Sequence, residues 1–287
     1  MARPHLVIAR TGAQSLHRCW LNAQQERNWD LYLCPYQEMP GPAAADTTVG
    51  EVIPGPKWTG LQQLLQHWQG WKDYDRIWLP DDDLFVAQAT LNRMFELSVA
   101  LDLDLCAPAL HESSYYAHFS TMRNRCCTAR RTGFVEIMAP CFSAKTLDRL
   151  LPTLDLSPSG WGWGLDSLWP KLLDYQKVGV IDATPVLHTR PVGMFRDAAL
   201  GRTVRAESDA IMETYRCGQV HTTFGTVGAD LQTRVQTPQA LAATLVDGWR
   251  YLWTAHPEVL PWIMEAQRPA PGWQAYPIEG APSCATI

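Results

Sequence analysis

The stretch Arg76-Ile77-Trp78-Leu79-Pro80-Asp81-Asp82-Asp83-Leu84-Phe85-Val86 passes from an apolar segment into three consecutive carboxylates and back into apolar residues. Acidic side chains at that density repel one another and raise each other's pKa unless a cation sits among them. If 77–79 is a buried strand, Asp81 and Asp83 project to one side of it, because side chains alternate along extended backbone. Oxygen ligands so placed suit Mg²⁺ or Mn²⁺, ions that also hold substrate phosphates. Taken alone, such a triplet reads more simply as a solvated acidic turn. The surrounding residues decide between the two.

Upstream, 6–9 and 29–34 read as strands, and Trp58, Leu61, Leu64, Leu65 and Trp68 recur at helical spacing after Gly55-Pro56. Downstream, Leu91, Met94, Phe95 and Val99 mark a second helix, followed by a strand near 103–107. This alternation predicts an α/β sandwich with a mostly parallel sheet, in which ligands bind beyond the carboxyl ends of the strands. The acidic triplet falls there. Residues 111–132 are polar and aromatic, with Tyr115, Tyr116, His118 and Phe119, and read as a long excursion over the site. Residues 134–140 look strand-like, and Leu147, Leu150, Leu151 and Leu154 form a helical stripe. Ser159-Gly160-Trp161-Gly162-Trp163-Gly164-Leu165-Asp166 is a Gly/Trp loop entering a helix that buries Leu165, Leu168, Trp169, Leu172 and Leu173. Residues 178–181 read as a late strand, and 185–188 carry the chain outward to His188. Two helices are expected near 207–217 and 239–253, then a Pro/Ala-rich tail from about Arg268. The resulting division is a catalytic domain over 1–200 and a helical C-terminal extension over 201–287.

With 287 residues, 46% hydrophobic, 18% charged and a net charge of -5, the chain can bury a large core and carries no general nucleic-acid or membrane-surface signature. The local exception is Arg123, Arg125, Arg130 and Arg131. Eight cysteines without a CxxC pair or His/Cys ligand spacing support neither a zinc module nor a thioredoxin-type site, so reduced thiols in a cytoplasm are expected. The apolar run at the start is too short for a signal peptide, and no later run approaches a membrane span. Several of the 13 Trp stand beside Gly or Pro, where flat rings serve as sugar or base platforms.

Asp81/Asp83, the Gly/Trp loop ending in Asp166, and His188 follow one another at strand ends and helix starts, and in that order the chain resembles glycosyltransferases of the GT-A fold. Within that fold, 74–84, 133–143, Trp163-Gly164-Leu165-Asp166 and 178–182 are similar to a plant and bacterial family catalogued as domain of unknown function 707. The resemblance implies a GT-A-like, Rossmann-like three-layer sandwich. It also implies a metal-dependent enzyme that moves a sugar from a nucleotide-diphosphate sugar, a UDP-sugar first, to a hydroxyl acceptor. On that pattern Asp83 ligates Mn²⁺ or Mg²⁺, Asp81 assists through the ion's water or the ribose, and His188 is a further metal ligand. Asp166 either takes the acceptor proton or orients the sugar. The donor side comprises Arg10, Lys57, Asp81, Asp82, Trp163 and Gly164. The acceptor side comprises Trp161, Tyr115, His118, Arg123, Arg130 and Arg131, facing a glycan, a lipid-linked hydroxyl or a nucleic acid.

Each assignment has a structural counterpart. Asp166 suits the first turn of any helix through the helix dipole, His188 at a strand exit is ordinary surface, Lys57 can sit in water, and the tryptophans can pack. Other functional readings are a sugar transferase acting on a hydroxymethyl-pyrimidine base, a non-catalytic nucleotide-sugar binder, and a haloacid-dehalogenase-type phosphohydrolase. The last expects Thr or Val where Phe85 stands.

Overall fold

The computed structural model describes residues 3–192, 198–234 and 236–265; the Pro/Ala-rich tail from Arg268 lies outside them. Among the described residues are eleven strands: β1 His5–Thr11, β2 Trp29–Pro35, β3 Thr47–Val49, β4 Arg76–Trp78, β5 Leu84–Phe85, β6 Leu105–Leu110, β7 Ala129–Gly133, β8 Cys141–Ser143, β9 Val178–His188, β10 Val220–Val227 and β11 Thr233–Arg234. The helices are α1 Lys57–His67, α2 Gln88–Ala100, α3 Ala144–Leu150, α4 Leu165–Leu172, α5 Ala198–Tyr215, α6 Pro238–Gly248, α7 Arg250–Ala255 and α8 Leu260–Glu265. The sheet runs β11-β10-β7-β9-β6-β8-β4-β1-β2-β3 in space, with β5 paired to β9 off this path. Seven strands (β3, β2, β1, β4, β6, β9, β10) point one way, and β8, β7 and β11 point the other.

Alternation along β1 builds the layers. Val7 and Ala9 enter one core with Phe95 of α2, Trp249 and Leu252, while Leu6 and Ile8 enter the other with Trp58 and Leu61 of α1, Leu147 of α3 and Trp169 of α4. The result is a three-layer α/β sandwich with helices on both faces. Trp20, Trp29, Trp58, Trp71, Trp78, Trp169 and Trp249 are buried, so most of the tryptophans are core rather than platforms. The seven cysteines among the described residues are free. No helix among the described residues is long and apolar enough to cross a membrane.

Three local expectations are corrected. Residues 134–140 form no strand; they link β7 to β8, and two of their carbonyls turn onto Lys57, which an extended ladder would not allow. Residues 129–132, expected within the excursion, belong to β7, between β9 and β10. Residues 220–227, assigned to no element, form β10; this Thr-rich strand carries too few apolar residues to announce itself by periodicity.

Candidate active site

The site is built at the carboxyl ends of β1, β4 and β9. β4 stops at Trp78, and Asp82 and Asp83 stand in a turn rather than on extended backbone. Residues 138–140 continue the antiparallel pairing beyond that stop: Leu79 N donates to Pro140 O at 2.9 Å and Asp81 N to Met138 O at 2.8 Å. Asp81 and Asp83 therefore diverge toward different partners instead of sharing one face.

Asp83 is joined to His188 across 105 residues by the short β5–β9 pairing, in which Leu84 stands opposite His188. Thr189 locks the register, its backbone N and its hydroxyl both donating to Asp83 O. The His188 Nε2 lies 3.3 Å from Asp83 Oδ2. Its Nδ1 lies 2.8 Å from Tyr115 O; a carbonyl only accepts, so Nδ1 carries the hydrogen and Nε2 turns its lone pair or a second proton to Asp83. Burial opposes charge on His188, but Asp83 and the Tyr115 carbonyl outweigh it and the pKa moves up. The other carboxylate oxygen of Asp83, Oδ1, is buried without a hydrogen-bond partner.

Lys57, at the start of α1, is half-buried at the centre. It donates to Ile137 O at 2.7 Å and Met138 O at 2.9 Å and pairs with Asp81 Oδ1 at 2.7 Å, which uses all three of its hydrogens. Lys57 thus organises the site's floor and keeps no donor for a phosphate. Asp82 accepts from Gly12 N at 3.2 Å and faces Arg190 Nη1 at 3.5 Å; burial lifts its pKa to about 6. Arg190, two residues past His188, is a half-exposed cation that sequence reading missed.

Asp166 opens α4, with only 5% of its surface exposed. Burial raises its pKa to about 7, against hydrogen bonds from Ser167 and backbone N–H groups of the helix start. The loop before it is rigid. Gly162 has φ +78°, and a Cβ there would lie 2.4 Å from Trp58 Cδ1; Gly164, at φ +92°, caps α4. Glu207 of α5 ties the loop down, accepting from Ser159 N at 3.0 Å and from the Ser157 hydroxyl at 3.2 Å. Trp161 is 37% exposed, and Trp163 is half-buried with the Arg205 guanidinium 5.9 Å from its ring centre.

The residue that sequence reading passed over altogether is Glu136. It is 7% exposed, its Oε2 has no hydrogen-bond partner, and its pKa rises to about 8, first through burial and then through Asp166, with His188, Asp81 and Lys57 as further electrostatic neighbours. One signal was present: a lone Glu in an otherwise apolar run, Phe134-Val135-Glu136-Ile137-Met138.

The remaining expected residues lie elsewhere or differently. Arg10 is buried and holds the carbonyls of Cys34, Pro35, Ile53 and Gly55. The arginines form no single patch. Arg130 is fully buried against Asp182, Arg131 Nη2 donates to Leu101 O, and Arg125 pairs with Glu112; the backbone N of Arg123 donates to Leu110 O. Tyr115 stands beside His188. His118 packs on Phe134 and His221, at 4.6 and 5.1 Å between ring centres, and burial lowers its pKa to about 4. A cleft of about 600 Å³ between β10, β11 and α6, lined by Cys126, Arg234, Asp247 and Arg250 among others, contains none of the clustered residues.

Among the described residues no three His, Cys, Asp or Glu side chains converge into a ready metal cage. Asp83 and His188 offer two ligands, a hard carboxylate oxygen left unpaired and an imidazole nitrogen. That set fits Mn²⁺ or Mg²⁺, ions that complete their shell with water and substrate phosphate.

No family model matches the chain, and no curated protein matches its sequence. Among solved structures, S. aureus TarS 1–349 in complex with UDP overlaps it with a TM-score of 0.46 and 8% identity, over 87% of this chain and 72% of that one. TarS 1–349 in complex with UDP-GlcNAc overlaps with a TM-score of 0.45 and 10% identity, over 91% and 78%. At TM-scores below 0.5 neither likeness assigns a function; the residues of the cluster must do so.

Proposed function

We propose that the protein is a metal-dependent glycosyltransferase, moving a sugar from a nucleoside-diphosphate sugar to a hydroxyl acceptor. The observation that carries this reading is the buried Asp83–His188 pair. Its free Oδ1 and its opposed Nε2 and Oδ2 call for a cation, at the strand ends where an α/β sheet takes its ligands. Asp83 and His188 would hold Mn²⁺ or Mg²⁺, which when bound offsets the charge that develops on a diphosphate leaving group. Asp81 and Lys57 keep the carbonyls of residues 137 and 138 in place, and Arg190 adds positive charge at the Asp82 side. Asp166, with a pKa near neutrality, accepts the proton of the acceptor hydroxyl. Tyr115 and the exposed ring of Trp161 supply surfaces for the acceptor.

Thermal shift with UDP and with UDP-sugars tests the reading. A ligand selective for the folded protein raises its melting temperature by mass action. The expected result is a rise with Mn²⁺ that disappears in chelator; no rise for any sugar nucleotide, or an equal rise in both conditions, contradicts it.

A further inference from the structure

We infer that the Glu136 carboxyl receives a hydroxyl of the donor sugar and thereby selects which sugar the site accepts. The inference builds on the nucleotide-sugar reading and assigns a residue to which that reading gives no task.

Apart from Asp83 Oδ1, which the proposed metal would take, Glu136 is the unsatisfied member of a cluster whose other polar groups are largely engaged. Lys57 is saturated, His188 is held by Tyr115 and Asp83, Asp166 is met by N–H groups of the α4 start, and Asp82 by Gly12 N. Glu136 Oε2 has no protein partner and almost no exposure. Buried polar atoms are nearly always paired, so an unpaired carboxyl beside the strand ends where an α/β sheet takes its ligands calls for one. The backbone that carries Glu136 is held in place. Lys57 grips the carbonyls of Ile137 and Met138, Asp81 N donates to Met138 O, and Ala139 N closes a turn onto Glu136 O at 3.4 Å.

Charge and position name the ligand. Asp166 is the largest electrostatic neighbour of Glu136, ahead of His188, Asp81 and Lys57, and an ionised carboxyl offers no donor to a phosphate oxygen, so phosphate is disfavoured there. A neutral hydroxyl is not; an ionised carboxyl accepts from it, and a protonated one accepts and donates. The field of Glu136 also reaches both His188, at the diphosphate end, and Asp166, at the acceptor end. In a transfer reaction the group between leaving diphosphate and incoming hydroxyl is the sugar ring.

The test is calorimetry in Mn²⁺ on the wild-type protein, Glu136→Gln and Glu136→Ala. UDP is titrated first, then UDP-glucose, UDP-galactose and UDP-N-acetylglucosamine, then the monodeoxy analogues of whichever binds most tightly. UDP should bind all three proteins within about twofold, which also shows the variants folded, while the intact sugar nucleotide should lose roughly tenfold or more in Glu136→Ala. One monodeoxy analogue should lose the same factor with the wild-type protein and nothing further with Glu136→Ala, the non-additivity that marks a direct pair. Equal binding of the sugar nucleotide by all three proteins overturns the assignment, as does strict additivity for every analogue. A loss of UDP affinity equal to that of the sugar nucleotide overturns it too, by moving Glu136 to the metal and diphosphate. If the wild-type protein binds no UDP with or without Mn²⁺, the nucleotide-sugar reading itself falls and takes this inference with it; the wild-type UDP titration separates that failure from the others.

Discussion

Arg130 and Asp182 are buried at least as deeply as Asp83 and His188, yet the two regions treat their charges in opposite ways. Arg130 meets Asp182 through two bonds, Nε to Oδ2 at 2.9 Å and Nη2 to Oδ1 at 3.0 Å, and gives its other hydrogens to the carbonyls of Ser120 and Met122. Asn124 N completes the Asp182 shell at 2.7 Å, and the guanidinium lies 4.9 Å from the centre of the Trp249 ring. Every charged atom there has a partner, and the pair pins the 120–125 segment against the C-terminal helices, where Trp249 Nε1 donates to Met122 O and the Tyr251 hydroxyl to Arg123 O. Around Asp83, by contrast, two carboxyl oxygens, Asp83 Oδ1 and Glu136 Oε2, are buried with none. The first arrangement serves the fold; the second leaves two carboxyl oxygens open to a ligand.

The largest effect that can break this contrast is on stability. Arg130→Met strands Asp182 in the core and should cost about 3–5 kcal/mol in urea unfolding followed by circular dichroism. A loss below about 1 kcal/mol would return the pair to the class of weak ion pairs.

Next in size is catalysis. Asp166→Asn should lower sugar transfer by at least about a hundredfold, roughly 2.7 kcal/mol of barrier, while UDP affinity stays unchanged. Retained transfer would leave Asp166 as a helix-capping carboxylate and nothing more.

The smallest effect sharpens the contrast most, because its sign is opposite to that of Arg130→Met. Unfolded Asp and Glu ionise near pH 4, whereas folded Asp166 and Glu136 titrate at about 7 and about 8. Between those values these two groups hold protons that the unfolded chain has released, so their contribution to stability is greatest below about pH 4 and falls as pH rises to about 8, while His5, His118 and His221, lowered to about 4 by burial, contribute in the opposite sense up to about pH 6.5. Asp166→Asn should flatten part of that slope and stabilise the metal-free protein at pH 8 by about 1–2 kcal/mol. Melting curves of the wild-type protein and Asp166→Asn from pH 4 to 8 check it; a stability difference between the two that does not grow in favour of the variant as pH rises contradicts it.

Much of this was legible in the sequence. The strands around Leu6, Leu31 and Ile77 and the helices begun by Lys57 and Leu165 announce themselves by periodicity, and the ends of those elements bring Asp83, Asp166 and Lys57 near one another. What stayed hidden depends on pairing across distance. The fate of Arg130 turns on Asp182, 52 residues away, and a run of arginines reads as surface until its partner is known. Glu136 was read as part of a strand because its neighbours are apolar; the segment that carries it is held by Lys57, 79 residues earlier, through the carbonyls of Ile137 and Met138. The Asp81/Asp83 reading rested on strand alternation, whereas a turn and the β5–β9 pairing aim Asp83 at His188.

The most direct test of the account is calorimetric titration of UDP into the wild-type protein and Asp83→Asn, each with Mn²⁺ and with chelator. Removing the Asp83 charge deletes one of the two protein ligands offered to the ion, so the wild-type protein should bind UDP at least about tenfold more tightly with Mn²⁺ than without, and Asp83→Asn should bind weakly and equally in both conditions. Equal wild-type affinity in metal and chelator, or full Mn²⁺ dependence surviving in Asp83→Asn, would contradict it.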